Sequence, residues 1–252
     1  MSLLYYNRGD WHSSGLHRLY SSSVAILACG GPSLNKIDCT LLPGPKKVVF
    51  GLNNVYPRVY PNVWAGMDDP HCYDRDVFFE PFIKILRSGY QDRTYNGTKL
   101  FKTHNMYYAT LQKASGVFDI FTRLTEESAF VWHQNSFATM LNIILWMGHR
   151  EIYLTGCDFT LDKGDYYNSD ITLSDSQRRW NAALYEQLSK YLYKFSLMCK
   201  PLGIKIYSMS PDSAINEFLT YVSIEDLNTR LYPELPDKTP IYHALDLDST
   251  NK

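Results

Sequence analysis

Small or acidic residues follow apolar runs at four places in this chain: Gly30-Gly31-Pro32-Ser33, Asn53-Asn54, Asp68-Asp69 and Gly156-Cys157-Asp158. A fifth polar pair, Asn135-Ser136, stands just ahead of the most hydrophobic segment. Glycines at such a corner let backbone approach a ligand closely, and free N–H groups at a helix start favour an anion such as phosphate. The turn is neither G-x-G-x-x-G nor the G-K-[ST] of a P-loop, so alone it is equally an ordinary strand-to-helix corner. Asp68, Asp69 and His71 offer oxygen and nitrogen ligands to a divalent cation. Adjacent residues on a strand face opposite ways, however, so one turn aspartate beside one functional aspartate is favoured over a metal site. Asp158 suits a ribose contact, a base or a loop cap. His133 suits an acid, a base, a phosphate contact or a structural role. Tyr166 and Tyr167 carry hydroxyls that could steady a leaving phosphate under a lid, or that face solvent. No Ser-His-Asp arrangement supports a nucleophilic hydrolase.

The elements that must position these groups follow from hydrophobic periodicity. Short apolar runs predict buried strands over 24–29, 46–53, 62–69, 98–103, 150–159 and 204–210. Helices are expected from Ser33, as N-cap, through the segment after Pro32, and over 74–87, 135–148 and 175–199. In 135–148, Phe137, Met140, Leu141, Ile144 and Leu145 recur at helical spacing, with Asn135 or Ser136 as cap. Ser174 and Gln177 form a capping box ahead of the last long helix. Its expected buried stripe is Trp180, Leu184, Leu188, Tyr191, Phe195 and Met198. Strands alternating with helices imply an α/β, Rossmann-like fold: a mostly parallel sheet flanked by helices, with ligands outside the C-terminal strand ends.

The bulk numbers agree with that class. The chain has 252 residues, 45% hydrophobic and 20% charged, which supports a globular core. A net charge of -1 implies no dominant basic face for nucleic acid, although it excludes no local patch. The 20 tyrosines suit a sugar or nucleotide site, or simply a tyrosine-rich core. Five cysteines without a C-x-x-C pair argue against a disulfide framework or zinc site and fit a reducing, cytoplasmic setting. No signal peptide and no membrane-length apolar stretch is read. Residues 1–23 show no assignable pattern and are taken as an N-terminal extension. Residues 24–220 are expected to form one Rossmann-like domain, with a loop or lid near 160–175. Residues 221–252 are a C-terminal extension whose proline-rich tail is extended or surface-docked.

Several segments together, "GGPSLNKIDCTLLP", "VFGLNN", "NSFATMLNIILWMGHREIYLTGCDF" and "GIKIYSMSPDSAINEF", are similar in order and spacing to one superfamily. It comprises the bacterial sialyltransferases of lipooligosaccharide, Maf-type flagellin glycosyltransferases and hydroxymethylpterin pyrophosphokinase-like proteins. The resemblance spans about residues 24–218, with a poorly matched middle over 72–130. It implies a glycosyltransferase-A-like domain with a lid, transferring sugar from a nucleotide-sugar donor to a hydroxyl of a glycan or nucleic acid. By position it places Gly30, Gly31, Pro32, Ser33 and Asn53 at the donor nucleotide, and Asp69 where the sialyltransferases have a second asparagine. Asn135 and Ser136 match the pair that meets the nucleotide sugar, Asp158 matches the aspartate of G-x-D-F, and Tyr166 matches a lid tyrosine at the phosphate. Four departures stand out. Glycine occupies position 30 in place of asparagine, His133 replaces an arginine, and Thr160 replaces the first lid tyrosine. There is also no histidine between His149 and His243 to serve as the family's base. The base is then sought among Asp69, His71, His133 and Asp158, and Asp69 would repel a carboxylated sugar. No cofactor is required by the resemblance, though magnesium or manganese is open. Two alternatives are a pyrophosphokinase with Asp68, Asp69 and Asp158 as magnesium ligands, and a catalytically degenerate nucleotide-binding protein. A compact enzyme of viral origin and a homo-oligomer are both compatible with the first reading.

Overall fold

The computed structural model describes residues 3–133, 135–162, 164–168 and 172–233. Strands β1 (Leu3–Asn7) and β2 (Asp10–Ser13) form from the N-terminal stretch that shows no sequence pattern. They are followed by β3 (Val24–Ala28), β4 (Lys47–Leu52), β5 (Val63–Gly66) and β6 (Ile83–Arg87). A small hairpin, β7 (Thr94–Tyr95) and β8 (Thr98–Lys99), leads to β9 (Met106–Ala109). Next come β10 (Leu111–Lys113), α1 (Asp119–Thr122), β11 (Phe130–Trp132) and α2 (Ser136–Trp146). The order closes with β12 (Glu151–Thr155), α3 (Asp175–Cys199), β13 (Lys205–Ser208) and α4 (Ile224–Leu231).

The main sheet has the order β13-β12-β3-β4-β5-β6-β9-β1-β2. Its strands from β13 to β9 are parallel, and β1 and β2 add an antiparallel edge. This is the α/β fold with a mostly parallel sheet that the strand–helix alternation predicts. β3 and β4 are buried along their whole length, which explains why they read as continuous apolar runs. Ala25, Leu27 and Phe50 pack on the face covered by α2 and α3. Val24, Ile26 and Val49 pack on the other, under Leu34, Leu42 and the α4 residues Ile224 and Leu227. From β3 the chain runs outward to β9, then returns to lay β12 on the other side of β3. That reversal makes the gap between the ends of β3 and β12 the topological switch point, where α/β sheets open a ligand crevice.

Helix α2 is buried at every residue, more completely than its apolar stripe suggests. Its one amide, Asn142, is satisfied internally: Oδ1 accepts from the Val131 N–H at 3.1 Å, and Nδ2 donates to the Ile120 carbonyl at 2.9 Å. This ties α2 to β11 and α1. The Ser174/Gln177 capping box and the Asn135 cap form as expected.

Four expectations are corrected. The segment after Pro32 is two 3-10 turns, Pro32–Lys36 and Cys39–Leu41, and Gly31, not Ser33, is the N-cap. Asn35 donates to the Tyr167 carbonyl and Asp38 accepts from the Thr40 N–H, so local polar contacts outcompete a continuous helix. The span 74–87 splits at Pro81 into a 3-10 turn, Arg75–Phe79, and strand β6. The run 98–103 is only the two-residue β8 and then a 3-10 turn. On α3, Leu188 and Phe195 are buried as predicted, but Trp180 is 64% exposed. The first turns of that helix wall a cavity instead of the core. The tail from residue 234 lies outside the described residues.

His149 gives the fold an acid sensitivity. It is 0% exposed, its Nδ1 faces the Ser23 carbonyl at 2.8 Å, and its Nε2 is buried without a partner. Burial depresses its pKa from 6.5 to about 4, against a smaller opposing effect of the Ser23 carbonyl. Between those values the unfolded chain binds a proton that the native chain refuses. Unfolding free energy therefore falls as pH falls, by up to about 1.4 kcal/mol per pH unit from this residue. Urea unfolding of wild type and His149→Gln at pH 7, 5.5 and 4.5 should show a shallower decline in the variant.

Candidate functional site

A cavity of about 560 Å³ opens at the C-terminal ends of β3, β4, β5 and β12, over the switch point. Its size is that of a small-molecule site. It gathers Gly30, Gly31, Pro32, Asn53, Asp68, Asn135, Ser136, Asp158, Thr160 and Tyr166 from separate parts of the sequence. Ser33, Asp69 and His133 stand outside it.

The floor is set by close backbone packing. The Gly31 N–H donates to the Gly156 carbonyl at 2.8 Å, and the Ser33 N–H donates to Asp158 Oδ2 at 2.9 Å. A Cβ on Gly31 would lie 2.2 Å from that same carboxylate oxygen and 2.6 Å from the Gly156 carbonyl, so only glycine fits. Two N–H groups of the turn are therefore spent on protein acceptors. The turn is a rigid wall, not the open phosphate cradle its glycines suggest. Asp158, 4% exposed, is the clamp that holds it. The Ser33 hydroxyl is buried without a partner.

At the end of β4, Asn53 adopts a left-handed backbone (φ 52). Its carbonyl accepts from the Trp64 indole N–H at 2.7 Å, while its side-chain Oδ1 is buried with no partner. Across the cavity, α2 begins. Both ends of the Asn135 amide are committed, Oδ1 to the Ala138 N–H and Nδ2 to the His133 carbonyl. The Ser136 hydroxyl beside it makes no hydrogen bond to the described residues. The N–H groups of Ser136 and Phe137 have no side-chain cap either, and they carry the positive end of the helix dipole.

The lid lies against this wall. The Tyr167 N–H donates to the Gly30 carbonyl at 2.9 Å, and its hydroxyl donates to the Asn54 carbonyl at 2.6 Å, spanning the β3 and β4 ends. Tyr166 packs over Gly30 and lines the cavity together with Asn181 of α3. Thr160 donates its hydroxyl to Asp162 in a local turn. Asp165 is buried and is held by the Leu173 N–H at 3.0 Å and Arg178 at 2.7 Å. Trp180, Asn181 and Tyr185 complete the α3 wall. Asp165, Asn181 and Tyr185 were missed as site residues because nothing in sequence marks which side of α3 or of the lid turns inward.

Asp69 faces away: it pairs with Arg93 at 2.8 Å and caps the His71 N–H. The aspartate that lines the cavity is Asp68, the other member of the pair. His71 meets the Tyr95 hydroxyl at 3.0 Å. His133 meets the Gly116 carbonyl at 3.2 Å and packs edge-on against Tyr191. Among the described residues no three His, Cys, Asp or Glu side chains converge as a metal site. Asp68, Asp69 and Asp158 thus do not fit the magnesium triad of the pyrophosphokinase alternative. No helix among the described residues is long and apolar enough to cross a membrane.

No protein-family model and no curated protein matches the sequence. Among solved structures the chain is similar to sialyltransferase CstII from Campylobacter jejuni in complex with cytidine-5'-monophosphate. Identity is 17% over 80% of this chain and 86% of that one, with a TM-score of 0.49. It is similar as well to CST-II in complex with a trisaccharide acceptor and CMP (18% identity, 79% and 86% covered, TM-score 0.45). A third is the monofunctional alpha-2,3-sialyltransferase Cst-I from Campylobacter jejuni (14% identity, 81% and 82% covered, TM-score 0.46).

Proposed function

We propose that the chain is a glycosyltransferase that moves a sugar from a nucleotide-sugar donor to a hydroxyl acceptor. The observation that carries this reading is Asn53. A non-glycine residue held at φ 52, with a buried amide oxygen left unpartnered, lines the cavity at a parallel strand end. Strain and an unsatisfied acceptor each cost about 1–3 kcal/mol, and such costs cluster where a ligand repays them. An exocyclic amine or a ribose hydroxyl supplies the missing donor. The phosphate then lies at the α2 N-terminus, met by the Ser136 hydroxyl and backbone N–H groups. Tyr166, Tyr167 and Tyr185 give the base and sugar their aromatic walls.

Two features favour a glycan over a nucleic acid as acceptor. The described residues lining the cavity include no Lys or Arg, which a polyphosphate backbone requires. The exposed Trp180 at the α3 wall offers an indole face that suits a sugar ring.

Thermal unfolding with CMP, UDP, GDP, ATP and their sugar nucleotides, with and without magnesium, tests this reading. A sugar nucleotide is expected to raise the Tm; a magnesium-dependent rise with ATP alone would move the assignment to diphosphate transfer. No rise with any of them would remove the nucleotide site. Asn53→Gly relieves the backbone strain while deleting the amide. It is expected to leave stability level or higher and to weaken the stabilising nucleotide about tenfold.

A further inference from the structure

Among the described residues three carboxylates line the cavity: Asp68, Asp158 and Asp165. Two of them are occupied. Asp158 holds the Ser33 N–H, and Asp165 holds the Leu173 N–H and the Arg178 guanidinium. The Asp68 carboxylate has neither a hydrogen bond nor an ion pair with any described residue. Its backbone is fixed instead, because its N–H donates to the Tyr73 hydroxyl at 2.8 Å, and Tyr73 is buried behind it. A free carboxylate is thus presented from the end of β5 on a backbone that cannot swing. None of the described lining residues is a histidine, a lysine or an arginine. Among the described residues Asp68 is thus the one cavity carboxylate with neither oxygen engaged by the protein.

The structure assigns Asp68 as the general base that takes the proton from the acceptor hydroxyl in the transfer proposed above. This assignment rests on that reading and adds the residue it lacks. In the step, the acceptor O–H proton passes to an Asp68 carboxylate oxygen as the acceptor oxygen bonds to the anomeric carbon. The bond from that carbon to the donor phosphate oxygen breaks, and its electron pair leaves with the nucleoside phosphate. Asp68 then releases the proton to solvent. The surroundings suit the task. The cavity walls desolvate the carboxylate enough to lift its pKa above the ordinary value. The titratable groups that face it are Cys72 and Tyr73 on the following turn, with Asp69 adjacent in sequence. None is a cation that would pull the proton affinity back down. The sign follows: the base form is lost as pH falls through this raised pKa, so transfer should fail at a higher pH than an exposed aspartate would allow.

Azide separates proton removal from everything else, because it attacks an anomeric carbon without needing a base. The probes are CMP-, UDP- and GDP-linked sugars, with water or sodium azide as acceptor, and wild type, Asp68→Asn and Asp68→Ala as enzymes. Donor hydrolysis is expected to fall at least about 100-fold in both variants, while glycosyl azide formation by Asp68→Ala stays within about threefold of wild type. The Tm rise given by the matching nucleotide should be unchanged, which shows that the variants fold and bind. Hydrolysis by Asp68→Asn within threefold of wild type overturns the assignment. So does an equal loss with water and azide, which places Asp68 on the donor and not on the acceptor proton. Wild type that neither binds nor turns over any of these donors overturns the glycosyltransferase reading itself, a result distinct from either of the other two.

Discussion

Alanine at Gly156 is expected to lower the unfolding free energy by about 3–5 kcal/mol, enough to deplete the folded protein. Two costs combine. Gly156 sits at φ 64, which alanine adopts only with strain, and an added Cβ would lie 2.0 Å from the Cys29 carbonyl oxygen. The neighbour is backbone, one residue beyond β3, so it cannot rotate aside. The parallel pairing of Thr155 with Ala28 holds both chains at that spacing up to the last residue. Any relief must therefore part β12 from β3, and with them the Gly31 N–H from the Gly156 carbonyl. Gly30→Ala is the matched control. Its Cβ would meet only Tyr166 and Tyr167 carbons, at 3.7 and 3.9 Å, which is ordinary contact. Urea unfolding followed by circular dichroism should show Gly30→Ala near wild type and Gly156→Ala far below it. Equal midpoints for the two would mean that the strand ends are free to separate.

The same strand ends explain what was legible in the sequence. The runs that became β3, β4 and β12 are buried on both faces, so nearly every residue carries the signal, and the residues that stop them fall at the crevice. Strands β1 and β2 were missed for the opposite reason. β2 is exposed throughout and β1 mixes burial with exposure, so neither shows a clean alternation. In β6, a buried Lys84 interrupts the apolar pattern; its ammonium donates to the Glu80 and Phe82 carbonyls. Its period therefore looks helical across a proline.

Within the site, position along the chain was easier to read than direction. Asp68 and Asp69 were both singled out, yet only the fold decides which one turns inward, and the answer exchanges their roles. The glycine turn lines the cavity, but its hydrogen bonds could not be read from sequence, because the acceptors at Gly156 and Asp158 lie just past the end of β12, more than a hundred residues away. His133 lies three residues before the first residue of α2 in sequence and outside the cavity in space. Its neighbour there is Tyr191 on α3, a contact that no local pattern announces.

Asp158 is where the two accounts of the carboxylates separate most sharply. Asp158→Ala should cost about 2–3 kcal/mol, since it strands the buried Ser33 N–H and removes a hydrogen bond to a charged acceptor. The loosened turn should also abolish the Tm rise with the stabilising nucleotide. Asp158→Asn is a different change. An asparagine keeps one oxygen of the right size to accept from Ser33, and it removes only the charge and the ability to take a proton. If Asp158 is a clamp, Asp158→Asn keeps nucleotide binding and transfers sugar within about tenfold of wild type. If it is the base, Asp158→Asn binds normally and loses at least about 100-fold in transfer. The second outcome would hand proton removal to Asp158 and leave Asp68 as a bystander. The clamp is the stronger expectation, because a base must give its oxygen to the acceptor. The Asp158 oxygen nearest the turn is already held at 2.9 Å by an amide that the fold cannot release without moving Gly31 into the space it occupies.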